Sequence, residues 1–272
     1  MDIVYILKRE DFNLDLAYSL RSVEAFVSGY DRIWFAGYKP SWIRGIKHVH
    51  TLQIGTKWMN GFGNIVAACN HADVSDDFVL FNDDFFAIRP VDLRTDINLY
   101  NKTLDAAIKD QEKHSASKWR LSFKQMRTLL RKLGSQHFMS FELHLPIIIN
   151  KLAYLEIINR PEVQAHISKY GIIMSRTLYG NLCWRNPTPM HDCKLHRKQD
   201  ATYQMLSGQW LSVYDHVTEN LHRYPRLQNI LAALPKSRWE TKSIIPKDST
   251  SQPDSSLCLT DLLNNPHEGE RE

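Results

Sequence analysis

The sequence predicts an α/β fold, a largely parallel central sheet flanked by helices, from three observations. Short β-branched or aromatic runs at residues 2–7, 32–37 and 78–81 have the length and composition of buried strands. Segments with helical spacing lie between them, giving strand, helix, strand, helix, strand, and parallel strands need such crossovers. The chain has 272 residues, 43% of them hydrophobic, enough for one catalytic-sized core with a tail.

Taken in order, Asp2-Ile-Val-Tyr-Ile-Leu7 is the first strand, and the polar residues from Lys8 to Asn13 form a loop. Leu16, Leu20, Val23 and Phe26 then keep helical spacing, with Asn13 or Asp15 as cap and Gly29 near the stop. Residues 32–37 give a second strand; residues 47–54 alternate weakly and read as a third, an edge strand or a loop. Residues 60–69 place turn residues first and a short helical patch after them. Residues 78–81 form another buried strand, which ends in Asn82-Asp83-Asp84.

Residues 104–133 read as one or two amphipathic helices over the sheet. Their basic stripe, Lys118, Arg120, Lys124, Arg127, Arg131 and Lys132, is either a solvated face or a surface for phosphate or acceptor. Residues 146–155 suit a helix with Pro146 in its first turn. Residues 173–184 are turn-rich, residues 203–214 read as strand or loop, and residues 221–234 as a short helix. From Pro246 the chain turns Ser-, Asp-, Pro- and Glu-rich, so residues 1–245 are expected to form the domain and 246–272 a flexible tail.

Lys and Arg number 34 against 30 Asp and Glu, a net charge of +4, which suits a polyanion or a phosphorylated ligand but requires neither. The four cysteines form no C-x-x-C pair, which argues against a zinc knuckle and for reduced thiols in a cytoplasmic protein. No apolar run reaches the roughly 18 residues of a membrane span, and the opening apolar stretch breaks at Lys8 to Asp11, so neither span nor signal peptide is expected. Seven Trp and 11% aromatics supply faces of the kind that hold sugars or bases.

Chemistry is best indicated by Asn82-Asp83-Asp84. It sets adjacent carboxylates at the carboxyl end of a strand, where open α/β sheets bind their ligands. Magnesium or manganese, taking one or two carboxylates and completing its shell with phosphates, fits that inventory, with Asp83 and Asp84 as ligands. The plain alternative is that both cap a turn. Burying two acids among Phe81, Phe85 and Phe86 without a cation or an Arg is costly, which favours a site. Arg21 on the first helix is either a solvated position or a fork for a diphosphate. His144, in Glu142-Leu-His-Leu-Pro146, is either structural or a general base at a helix entry. No P-loop, G-x-G-x-x-G, H-E-x-x-H or G-x-S-x-G motif occurs.

Several segments together resemble the Stealth proteins, sugar-phosphate transferases of microbial capsules related to the animal lysosomal-enzyme N-acetylglucosamine-1-phosphotransferase. The matching pieces are Asp2-Ile-Val-Tyr5, Leu16-Ala-Tyr-Ser-Leu-Arg-Ser22, Pro40-Ser-Trp42, Phe78-Val-Leu-Phe-Asn-Asp-Asp-Phe-Phe86 with Arg89-Pro-Val91, and His144-Leu-Pro146. Gly55-Thr-Lys57, Glu142 to Pro146, Arg176 to Asn181 and Pro235 to Glu240 resemble motifs of short, phage- or prophage-type relatives. The opening W-V-[DN]-G of the family is absent, its place taken by Leu7-Lys-Arg-Glu10.

The resemblance implies a glycosyltransferase-A-like fold that uses a nucleotide-diphosphate sugar donor. Asp83 and Asp84 would bind Mg or Mn and, through it, the diphosphate. Arg21 and Lys57 would hold phosphate oxygens, Arg176 would be a second clamp, and His144 would deprotonate the acceptor. Glycosyl transfer and sugar-1-phosphate transfer both remain open, the former preferred for this short form. The acceptor is expected to be a glycan, or a modified DNA base in a phage-infected cell. The competing readings are a non-catalytic module for DNA or anionic glycan, and a metal-dependent nuclease.

Overall fold

Asp2–Leu7 (β1) is buried along nearly its whole length and forms the middle of the sheet. The computed structural model describes residues 1–94, 99–111, 118–184, 187–195 and 208–245. The expected tail, 246–272, lies outside the described residues. Four further strands, Ile33–Gly37 (β2), Lys47–His50 (β3), Asp77–Phe81 (β4) and Ile147–Asn150 (β5), complete the sheet in the order β5-β4-β1-β2-β3. The first four are parallel, and β5 runs antiparallel to β4, so the sheet is mixed, not purely parallel.

Side chains alternate across a strand, and here both faces are apolar. Ile3, Tyr5, Phe35, Val79 and Phe81 face one core, shared with Leu16, Leu20 and Val23 of the helix Leu14–Phe26 (α1). Val4, Trp34, Phe78 and Leu80 face the other. Over that second face lie Lys57–Asn70 (α2), Leu104–Gln111 (α3), Lys118–Lys132 (α4), Lys151–Ile158 (α5), Pro161–Tyr170 (α6) and Ser175–Cys183 (α7). The chain lays β2 and β3 to one side of β1 and then returns to place β4 on the other. That reversal makes the gap between β1 and β4 a topological switch point.

Three sequence expectations are corrected. The turn expected near Asn60-Gly-Phe-Gly63 is helix interior. α2 begins at Lys57, capped by Thr56, and packing on β1 and β2 outweighs the roughly 1 kcal/mol that each glycine costs a helix. Residues 146–155 are not one helix. Ile147-Ile-Ile149 is a β-branched run whose alternate side chains are buried beside β4, and Asn150 then caps α5 by accepting from the Ala153 amide at 3.0 Å. The turn-rich residues 173–184 contain α7, with Gly180 inside it because the Phe141 ring lies where a side chain would project.

Beyond α7, Trp210–Ser212 pairs antiparallel with Phe85–Ala87, and the helix Pro225–Ala232 follows. The chain then crosses back, the Arg44 amide donating to Trp239 O at 2.9 Å and the Thr241 amide to Trp42 O at 2.8 Å. Residues as far as Ile245 are therefore part of the packed unit. No helix among the described residues is long and apolar enough to cross a membrane.

Candidate functional site

At the carboxyl ends of β1 and β4 the surface opens into a cleft with two lobes of about 460 and 290 Å³. Lys57, Trp58, Trp119, Glu142 and His144 line both lobes. Lys57 is the first residue of α2, where the free backbone N–H groups of a helix start already favour an anion. Trp58 follows it, its ring 5.1 Å from the Lys57 ammonium and 5.6 Å from that of Lys118. Trp119 comes from α4 and stands edge-on to Phe123.

The end of β4 is held by a set of polar contacts. Asn82, which lines the smaller lobe, accepts from Arg176 Nη2 at 3.4 Å. Asp83 accepts from Asn13 Nδ2 at 2.7 Å, while Asn13 Oδ1 caps α1 through the Leu16 amide. Asp84 Oδ2 receives Lys194 Nζ at 2.8 Å and the Ser212 hydroxyl at 3.1 Å. Asp84 Oδ1 is buried with no hydrogen-bond partner among the described residues. Among those residues no group of three or more His, Cys, Asp or Glu side chains is arranged to hold a metal ion. Asp83 and Asp84, the residues expected to hold a metal, line neither lobe, and the unsatisfied oxygen of Asp84 is the feature there that a cation would answer.

His144 is engaged from both sides by one acid. Its Nδ1 lies 2.7 Å from Asp192 Oδ2, and its backbone N–H donates to Asp192 Oδ1 at 3.0 Å. This arrangement directs the Nδ1 proton to Asp192 and leaves Nε2 as the nitrogen for a reactant. Burial pushes the Asp192 carboxyl up, but the hydrogen bonds and charge of His144 outweigh it and hold the acid below the ordinary carboxylate range. Ionised Asp192 is then the partner of any imidazolium formed at His144.

Arg176, expected as a diphosphate clamp, lines the smaller lobe and also holds the segment beside it. Its guanidinium is buried over the Phe85 ring at 5.1 Å, and Nη1 donates to Leu143 O at 3.2 Å and to Leu145 O. Those carbonyls flank His144, so Arg176 fixes the segment that carries the imidazole. Burial lowers the Arg176 pKa, opposed by Glu142, Asp84 and Asp192 around it. Burial pushes the Glu142 carboxyl up, and its Oε1 accepts from the Thr177 amide at 3.2 Å and hydroxyl at 2.9 Å.

Arg21 is corrected. It lines neither lobe, and instead of gripping a ligand it donates to both Glu240 oxygens at 2.9 Å and to Ser243 Oγ at 3.0 Å. An interior position in α1, packed under the returning chain, leaves its side chain only 8% exposed. Lys57, His144 and Arg176 line the cleft, as does Asn82, whereas Asp83 and Asp84 line neither lobe. Sequence reasoning passed over Asp192, Lys194, Trp58 and Trp119. The signal for the first two was the His191-Asp-Cys-Lys194 cluster of titratable side chains in a segment assigned no element. Compared with known proteins, the chain matches no family model and no curated protein.

Proposed function

We propose that the protein is a nucleotide-sugar-dependent transferase with a glycosyltransferase-A-like catalytic domain. It moves a sugar from a nucleotide-diphosphate donor to an acceptor hydroxyl, on a glycan or, as the lesser choice, on a modified DNA base. The observation that carries this reading is the His144–Asp192 pair, open to a cleft at the switch point of the sheet. His144 takes the acceptor proton at Nε2, and Asp192 stabilises the resulting imidazolium. Lys57, at the start of α2, holds diphosphate oxygens, and Trp58 and Trp119 give faces for sugar or base.

Asp83 and Asp84 are the residues to hold Mg or Mn, the buried free oxygen of Asp84 supporting the fit. A bound cation would offset charge growing on the leaving diphosphate; Lys194, at 2.8 Å from Asp84, already supplies positive charge there. The free thiols Cys69, Cys183 and Cys193 support a reducing, cytoplasmic setting. The resemblance to short Stealth-type chains supports the donor class.

The test is a panel of nucleotide sugars with Mg²⁺ or Mn²⁺, reading released nucleotide by mass for wild type, His144→Asn, Asp192→Asn and Asp84→Asn. Release of a nucleoside diphosphate that falls about 10²- to 10⁴-fold in the His144 and Asp192 variants is the expected result. A monophosphate product assigns the sugar-1-phosphate branch. Wild-type release that is indifferent to both substitutions rules out the proposed base.

A further inference from the structure

Between α4 and α6 lies a groove of about 530 Å³, larger than either lobe of the cleft. Lys124 and Lys132 from α4 and Lys169 from α6 line it against one acid, Glu162. His166 adds no charge at neutral pH, because burial lowers its pKa. Gln125 also lines the groove, and its Oε1 is buried with no hydrogen-bond partner among the described residues, an acceptor in want of a donor such as a hydroxyl. The groove shares no lining residue with the cleft, and Lys118 of α4 stands between them. Lys118, Gln125 and Lys132 recur every seven residues and share one face of α4 over about 21 Å. At the cleft end the Lys118 ammonium is 5.6 Å from the Trp58 ring and 3.5 Å from Gly171 O, next to Tyr170 of the groove.

We propose that this groove is an exosite for an anionic glycan, an acceptor chain whose end reaches the cleft while its body lies along α4 and α6. The proposal rests on the reading of the cleft as a sugar-transfer site. Spaced lysines meet charges distributed along a polymer. A nucleic acid strand is less well served. The Tyr170 ring is already occupied by the Lys169 ammonium at 5.1 Å and the His166 ring at 4.9 Å, so it offers no open stack for bases.

The experiment measures binding without donor or turnover, using polygalacturonate, neutral dextran and single-stranded oligothymidylate at low and high salt. Wild type is expected to bind polygalacturonate, weakening steeply with salt, and to leave dextran unbound. Lys132→Glu/Lys169→Glu is expected to weaken that binding about tenfold or more, and Lys132→Gln/Lys169→Gln by less. Both pairs sit at exposed positions, and circular dichroism checks that they fold. His144→Asn should bind polygalacturonate as wild type does, which separates this site from the base. Equal binding by the lysine variants, no polygalacturonate binding by wild type, or tighter binding of the oligonucleotide each overturns the proposal. Groove binding without any nucleotide release from donors would instead overturn the transfer reading alone, leaving an anionic-glycan module.

Discussion

Glu240→Gln should cost this protein a large part of its stability while sparing the cleft. Glu240 is fully buried, and its partner Arg21 is 8% exposed. Oε1 accepts from Arg21 Nε at 2.9 Å and from the Ser237 amide and hydroxyl at 2.9 and 3.1 Å, while Oε2 accepts from Nη2 at 2.9 Å. A glutamine keeps the shape but turns an N–H₂ toward one set of donors and leaves the guanidinium without a counter-charge. Breaking a buried pair from one side costs about 3 to 5 kcal/mol. For a domain of this size each kcal/mol shifts Tm by about 2 to 4 °C, so the fall is about 6 to 20 °C. A urea titration read by tryptophan fluorescence and circular dichroism measures the loss, with an unchanged slope marking an intact two-state transition. Donor binding by the folded variant should be unaltered, because Arg21 lines neither lobe. A loss below about 1 kcal/mol, the range of surface pairs, would refute the reasoning. So would Arg21→Lys abolishing nucleotide-sugar binding in a protein as stable as wild type, since that result returns Arg21 to the ligand.

Other consequences can be checked directly. Burial raises the Glu142 pKa above the ordinary 4.5, so the folded state binds this proton more readily than the unfolded chain, and ionised Glu142 weighs against folding as pH rises through the folded value. Glu142→Gln should therefore be more stable than wild type at pH near 7 and lose that advantage below the ordinary value, as denaturation at two pH values would show. Gly180→Ala would set a Cβ 2.6 Å from carbons of the buried Phe141 ring, which also meets Trp184 edge-on at 5.3 Å. A loss of about 1 to 3 kcal/mol is expected despite alanine's better helix propensity, and a thermal melt showing a neutral or stabilised variant would contradict the packing. Burial pushes the Cys69 thiol up to about 12 and that of Cys183 to about 11. Iodoacetamide should label both far more slowly in the native protein than in urea, and rapid native labelling, mapped by peptide mass, would disprove their protection.

Local signals carried much of the fold. The β-branched run of β1, the helical spacing and Asn13 cap of α1, and the aromatic strand ending in Asn82-Asp83-Asp84 all appear where composition and periodicity put them. Each is written within a few neighbouring residues, the range over which periodicity and capping act. Where helix and strand signals compete, neighbours in space decided. Ile147–Asn150 became a strand because the β4 edge was there to pair with it, α2 formed across its glycines because the helix packs on the sheet, and Gly180 stands in α7 where the Phe141 ring lies against it. The site shows the same division. Lys57, His144 and the acidic triplet were visible as residue types in suggestive places. Only the tertiary structure brought Asp192 to His144 across 48 positions and Glu240 to Arg21 across 219, giving the first a chemical partner and removing the second from the cleft. A charge's role depends on what it meets and how much water it keeps, and both are properties of the packed chain.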